Sequence, residues 1–433
     1  MKPHRRKTPI GLTRPSEDIV EFDAERAQFR GGVKPRVARA LMGFLFAIRR
    51  AGASQTILDF SQSTAAYPNA MVPIVARCQS LIREGFQVDC ILPTDDTLRR
   101  LFLRTNWAHY IAPHQFAMSD TEHDRHLAVR NFADPSEQQL LVNDFIDVTM
   151  RTLQLPRSVL GGLEWAVNEI TDNVLNHASS ANGGFVQLAT YRERQRIVFC
   201  VADTGRGILD SLREARPLLR LDVDAIGDAV RAGVTRNKNI GQGNGLSGTL
   251  AIINAVHGHM AIASGAGNIS WSDVGVDTHT SHLRHRFDGT VVDVQIPTNV
   301  PLDLPKALAL GTDGRVAAAV DFVELNYLSD DSRSVNLRMI EETAGFGSRR
   351  AGQQMRTKAA NLLNAEPTCT LVVDWNGIQM ISSSYADEFI GKLFVAMGPI
   401  AFMSKIRQIN AIPLVHGLID KAIMQRTQQE MTR

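Results

Sequence analysis

The sequence is poor in the features that mark metal-bound, secreted or membrane proteins. Its four cysteines, Cys78, Cys90, Cys200 and Cys369, stand singly. No C-x-x-C or comparable spacing occurs, which argues against a zinc site or a disulfide framework. Cys90, Cys200 and Cys369 lie in strand-like runs and read as buried free thiols. Long apolar runs are missing too. The stretches at 40–48 and 390–403 are broken or too short to span a bilayer. The basic N-terminus has no apolar core of the kind a signal peptide needs. Net charge is nearly absent: 47 Lys and Arg against 45 Asp and Glu leave +2, so no global pull toward nucleic acid or anionic membrane follows. There is no Gly-Lys-Ser/Thr to close a Walker A loop, no short-period repeat and no low-complexity tract. A cytoplasmic protein without a membrane or nucleic-acid role is the expectation.

What is present is length and alternation. A chain of 433 residues is too long for one ordinary core, so two or three domains are expected. Residues 1–35 read as a basic tail, with Lys2, His4, Arg5, Arg6, Lys7 and Arg14. Residues 36–118 alternate strand, helix, strand, helix, which predicts a small α/β domain. Residues 119–136 are polar and read as a linker. From 137 to 300, two helices precede strand runs at 185–191 and 196–202. A glycine-punctuated stretch leads into a helix at 246–257, and strands follow at 259–264 and 290–296. Helices on one face of a mostly antiparallel sheet make this an α+β domain. Beyond the proline-rich break, residues 306–433 read as another small α/β domain. It has a helix at 348–363, an apolar strand at 369–374, a helix at 384–395 and a strand near 408–415.

Four short motifs fall in order within 137–300. The first contains Asn168, Glu169, Asn173, His177 and Ala178. Glu169 and Asn173 are four apart, so they share one helix face. There a carboxylate can act on a nucleophile, and an amide oxygen is a suitable hard ligand for Mg²⁺. The second, Asp203-Thr204-Gly205-Arg206-Gly207, follows an apolar strand. It offers a buried acceptor for an exocyclic amine and glycines that admit a flat ring. The third, Gly241-Gln242-Gly243-Asn244-Gly245, runs into a helix whose first N–H groups are a natural phosphate site. The fourth is an alternating strand opened by Gly289-Thr290. Each alone also fits a plain structural role: a polar helix stripe, a capped turn, a loop, an edge strand.

Together and in this order, the motifs resemble those of the GHKL superfamily of histidine kinases, gyrase-type ATPases, Hsp90 and MutL. The first is most similar to the branch of anti-sigma-factor serine kinases. The resemblance implies an ATP- and Mg²⁺-binding fold of the Bergerat type. In it Glu169 is the general base and Asn173 the Mg²⁺ ligand. Asp203 accepts from adenine with help from Thr290, and Gly205 and Gly207 lie near the base. Gly241, Gly243 and Gly245 meet the phosphates, with His177 as a further neighbour. Residues 208–240 become a mobile lid.

The stretch from Val372 to Phe389, including Asp374, Trp375, Ser382, Ser383 and Ser384, resembles the strand-loop-helix of STAS-like domains. That implies a protein partner held on STAS-like surfaces, a homodimer as a further possibility, and Ser383 as a phosphorylation site. An N-cap cluster is the plain alternative for the three serines. The first domain resembles a degenerate copy, whose matching loop at 62–69 offers Tyr67-Pro68 in place of a serine. The expected architecture is thus a GHKL-type α/β sandwich flanked by two small STAS-like domains. The expected activity is that of an ATPase or a serine kinase, with an ATP-gated binding switch as the alternative. A sensor histidine kinase fits less well, because its phosphoacceptor would have to be His123 or His126, and Pro135 soon breaks that segment.

Overall fold

The computed structural model describes residues 19–23, 25–119, 126–231, 245–281, 285–308, 322–329, 333–342 and 345–431. Three sheets organise the chain. The first holds β1 (Ile19–Asp23), β2 (Arg26–Val33), β3 (Gln55–Ala66) and β4 (Gln87–Ile91) in that order. β1 is antiparallel to β2, while β2, β3 and β4 run parallel. The parallel steps are bridged by the helices Pro35–Arg50 and Pro68–Arg83, as parallel connections require. Strands therefore occupy part of the segment expected to be a tail. Ala27, Phe29 and Val33 alternate inward and bury, which outweighs the charged residues around them. The expected loop at 62–69 is also shorter. Residues up to Ala66 continue β3, and Tyr67 alone precedes the helix that Pro68 opens.

The second sheet has seven strands, all antiparallel: β5 (His126–Phe132), β6 (Gly184–Tyr191), β7 (Arg196–Asp203), β8 (His259–Gly265), β9 (Gly267–Ser272), β10 (Gly275–Thr280) and β11 (Phe287–Pro297). Their spatial order is β10-β9-β8-β11-β7-β6-β5. β5 lies where a linker is expected. Its Leu127, Val129 and Phe132 are buried, so the polar residues before it do not prevent pairing with β6. One face of the sheet is covered by the helices Pro135–Thr152, Arg157–Asn173 and Gly245–Ala255. There Val201, Val292, Val294 and Ile262 share a core with Leu163, Val167 and Ile252. The opposite face carries Phe185, Cys200, Ala202 and Val291, which share a core with the two N-terminal helices. Gln187 binds this layer by accepting from Trp107 Nε1 at 2.7 Å.

The third sheet is parallel, with β13 (Thr370–Asp374) between β12 (Ser334–Arg338) and β14 (Ile406–Ile409). The helix Arg349–Ala365 starts where Ser348 accepts from Ala351 N–H at 3.0 Å. It joins this domain to the central one. Asn361 donates to Met150 and Leu153 carbonyls at 2.7 Å each and accepts from Leu155 N–H at 2.9 Å. Lys358 is fully buried between Asp147 and Glu342, at 2.5 and 2.7 Å. The expected strand at 408–415 ends at Ile409, because Pro413 opens a long helix, Pro413–Met431. The expected helix at 384–395 begins at Ser383 and runs on through a wider turn at Asp387–Gly391.

Candidate functional site

The helix Arg157–Asn173 buries Val159, Leu163, Ala166, Val167 and Ile170 against the sheet, at helical spacing. Glu169 and Asn173 lie off that stripe and are only half-buried. Glu169 makes no hydrogen bond or ion pair with a described residue, and burial, with Asp172 nearby, raises its pKa. The side-chain nitrogen of Asn173 is buried without a partner. The helix then widens into one turn of π-helix, Val174–Ala178, that carries His177. Such turns concentrate at functional sites.

Two glycine segments meet this helix end. Gly205 packs so closely on the Ala178 carbonyl that a side chain would overlap it. Beside it, Arg206 donates from its N–H to the Ala178 carbonyl at 2.9 Å and from Nε to the His177 carbonyl at 2.8 Å. Arg206 also pairs with Glu214. On the other side, Gly245 opens its helix against Glu169, with Asn173 also adjacent. The first, second and third motifs therefore converge on residues 169–178. Gly241 and Gly243 lie outside the described residues.

Asp203 ends β7 opposite Thr290 on β11. It is 3% exposed, accepts from Gly205 N–H at 2.8 Å, and is pushed up to about 7 by burial, against the pull of backbone donors at Gly205 and Thr290. Gly289 has φ 114, and a side chain there would strike the Asp203 carbonyl. The Ser264 hydroxyl closes this corner. It accepts from Ile208 N–H at 2.9 Å, donates to the Gly289 carbonyl at 3.0 Å and sits 3.2 Å from the Thr290 hydroxyl. Gly207, at φ 76, packs on the same Ser264 oxygen. Sequence reasoning missed Ser264, because a lone serine ending a strand carries no motif.

The expected lid is more structured than the glycines suggest. The helices Gly207–Arg213 and Asp222–Ala229 occupy its first part, and the Asp222 carboxylate accepts from Ala266 N–H at 3.0 Å. Residues 232–244 lie outside the described residues. In the C-terminal domain Ser382 is the helix cap, accepting from Tyr385 N–H at 3.0 Å, and it lies 3.0 Å from the Ser384 hydroxyl. Ser383 is exposed beside them.

Among the described residues no group of three or more His, Cys, Asp or Glu side chains is placed to hold a metal, and no helix is long and apolar enough to cross a membrane. No curated protein matches the chain. Residues 160–299 match the family model for histidine kinase-, DNA gyrase B- and HSP90-like ATPases, and this interval contains Glu169, Asp203, Gly245 and Thr290, so the match supports a GHKL-type domain over this part of the chain.

Proposed function

We propose that the central domain binds ATP with Mg²⁺ and uses it, as an ATPase or a serine kinase, to control what the flanking domains hold. The observation that carries this is the convergence of Gly205 and Gly245 on the two ends of residues 169–178. In this reading Asp203 accepts from the adenine amino group, with Thr290 beside it and Gly205 and Gly207 against the ring. Asn173 and the N–H groups at Gly245 face the phosphates, together with Gly241, Gly243 and His177. Glu169 orients and deprotonates the nucleophile. The groups fit: an unpartnered carboxylate and an amide nitrogen that lacks an acceptor, as a phosphate oxygen would supply, at one end, and a desolvated carboxylate with free acceptor capacity at the other. The cation would neutralise phosphate charge, and Asn173 would hold it as a neutral oxygen ligand.

The flanking domains act as STAS-like partner surfaces, and Ser383 is the regulatory phosphorylation site. Support comes from the division of labour among the serines. Ser382 serves as the helix cap, which leaves Ser383 exposed and without a structural task. Phosphorylation would add about two negative charges to that surface and repel or desolvate a bound partner. An ATP-gated switch without phosphotransfer is the second reading. It is favoured by the buried Lys358 and Asn361 links between the C-terminal domain and the helix Pro135–Thr152. These links give a nucleotide-driven shift a path to the partner surface.

The deciding experiment is incubation with γ-labelled ATP, wild type beside Glu169→Ala, followed by mass spectrometry of the 378–390 peptide. Phosphate on Ser383 that vanishes in the variant supports the kinase. Free phosphate with an unmodified peptide rejects the kinase and leaves the switch.

A further inference from the structure

Behind the sheet, on the face away from Thr290, lies a cavity of about 180 Å³, partly open to solvent. A buried apolar space of about 150 Å³ is enough to hold a benzene ring, so a small organic molecule fits here. Strand alternation places the cavity. Along β11, Val292 and Val294 face the ATPase helices, and Val291 and Asp293 face the N-terminal ones. Its walls are mainly apolar: Ala38, Met42 and Pro73 from the N-terminal helices, and Phe287 and Val291 from the sheet.

Three polar groups interrupt this wall, each with an atom that has nothing to bond. Asp293 is 5% exposed. Its Oδ2 accepts from Asn69 Nδ2 at 3.1 Å, while its Oδ1 makes no hydrogen bond within the chain, although the Gln295 side chain lies beside the carboxylate. Asn69 Oδ1 and His259 Nδ1 are likewise buried and unmatched. With the proton of His259 on Nε2, all three are acceptors. Buried polar atoms are nearly always paired, so three orphans on one cavity call for a partner that is not part of the chain. Arg39 lines the same cavity, partly buried, and forms no ion pair with a described residue.

We propose that this cavity binds a small zwitterionic amphiphile whose primary ammonium donates to Asp293, Asn69 and His259. Three N–H donors meet three acceptors. An acidic group of the ligand pairs with Arg39, and its apolar body lies against Met42, Pro73 and Phe287. An apolar α-amino acid is the simplest molecule of this class. The site is separate from the nucleotide pocket, and β11 belongs to both.

The test is calorimetry on the full chain without nucleotide, using phenylalanine, leucine, phenethylamine and 3-phenylpropionate as probes. The amino acids should bind saturably, phenethylamine at least fivefold more weakly, and 3-phenylpropionate not detectably. Asp293→Asn should weaken amino-acid binding tenfold or more. Arg39→Gln, at a partly exposed position, should reduce the amino acids to the level of the amine and leave the amine unchanged. Absence of saturable binding by all four probes overturns the proposal and leaves water as the occupant. Amine binding as tight as that of the amino acids overturns it too, as does an Arg39→Gln variant with wild-type affinity.

Discussion

The two ends of the proposed nucleotide site are built differently. At the Asp203 end, Ser264, Gly289, Thr290 and the Ile208 N–H close on one another through hydrogen bonds, and the carboxylate is nearly inaccessible. Backbone packs against backbone, so nothing there shifts easily. At the other end, Glu169 and Asn173 hold polar atoms without described partners, and Gly245 touches flexible side-chain tips instead of backbone. The contrast suits a rigid recognition corner joined to a reactive corner completed by its ligand. In the proposed reading, preorganisation favours binding at the first, and unpaired polar groups serve chemistry at the second.

The largest expected effect lies at the reactive corner. Glu169→Gln should lower phosphate turnover by roughly 10²–10⁴-fold, the usual contribution of a positioned general base, while ATP affinity by calorimetry stays near wild type. A parallel loss of both would merge the two corners into one.

Next is the pH dependence of Asp203. Its pKa is raised in the fold to about 7, so folding favours the protonated form. The penalty on the ionised form is absent below the unfolded value of about 4, grows as pH rises, and is complete above about 7. Stability of Asp203→Asn relative to wild type should therefore improve from about pH 4 to about pH 7, by up to about 4 kcal/mol, and then level off. Urea melts at several pH values measure this, and a difference independent of pH would remove the desolvated carboxylate from the account.

Glycine substitutions sharpen the same contrast. Gly289→Ala forces a side chain onto the Asp203 carbonyl at a backbone angle that favours glycine, and should cost about 3 kcal/mol. Gly245→Ala meets the movable end of Glu169 and should cost under about 1 kcal/mol. Comparable losses in denaturant would mean that the two corners are equally rigid.

Much of this site is legible in the sequence because its spacing is local. Glu169 and Asn173 are one helical turn apart, and Asp203 and Thr290 sit at the ends of strands with clear apolar patterning. What escapes is set by tertiary contacts. Ser264 acquires its role from Gly289 and Thr290 across β8 and β11. β5 is hidden by the polar residues that precede it and is specified by its pairing with β6. β1 and β2 follow the basic tail, and their own charged residues mask a short inward alternation. Near the C-terminus, Ile412, Leu414 and Val415 on both sides of Pro413 extend the apolar pattern of the preceding strand, although that proline opens a helix.

The most direct test of the central claim is calorimetric titration of the full chain with ATP and Mg²⁺, wild type against Asp203→Ala. The account predicts saturable binding by the wild type and a loss of one to two decades in the variant, the cost of about 1–3 kcal/mol for a buried hydrogen bond left unmade. Equal affinity in the two proteins would contradict it.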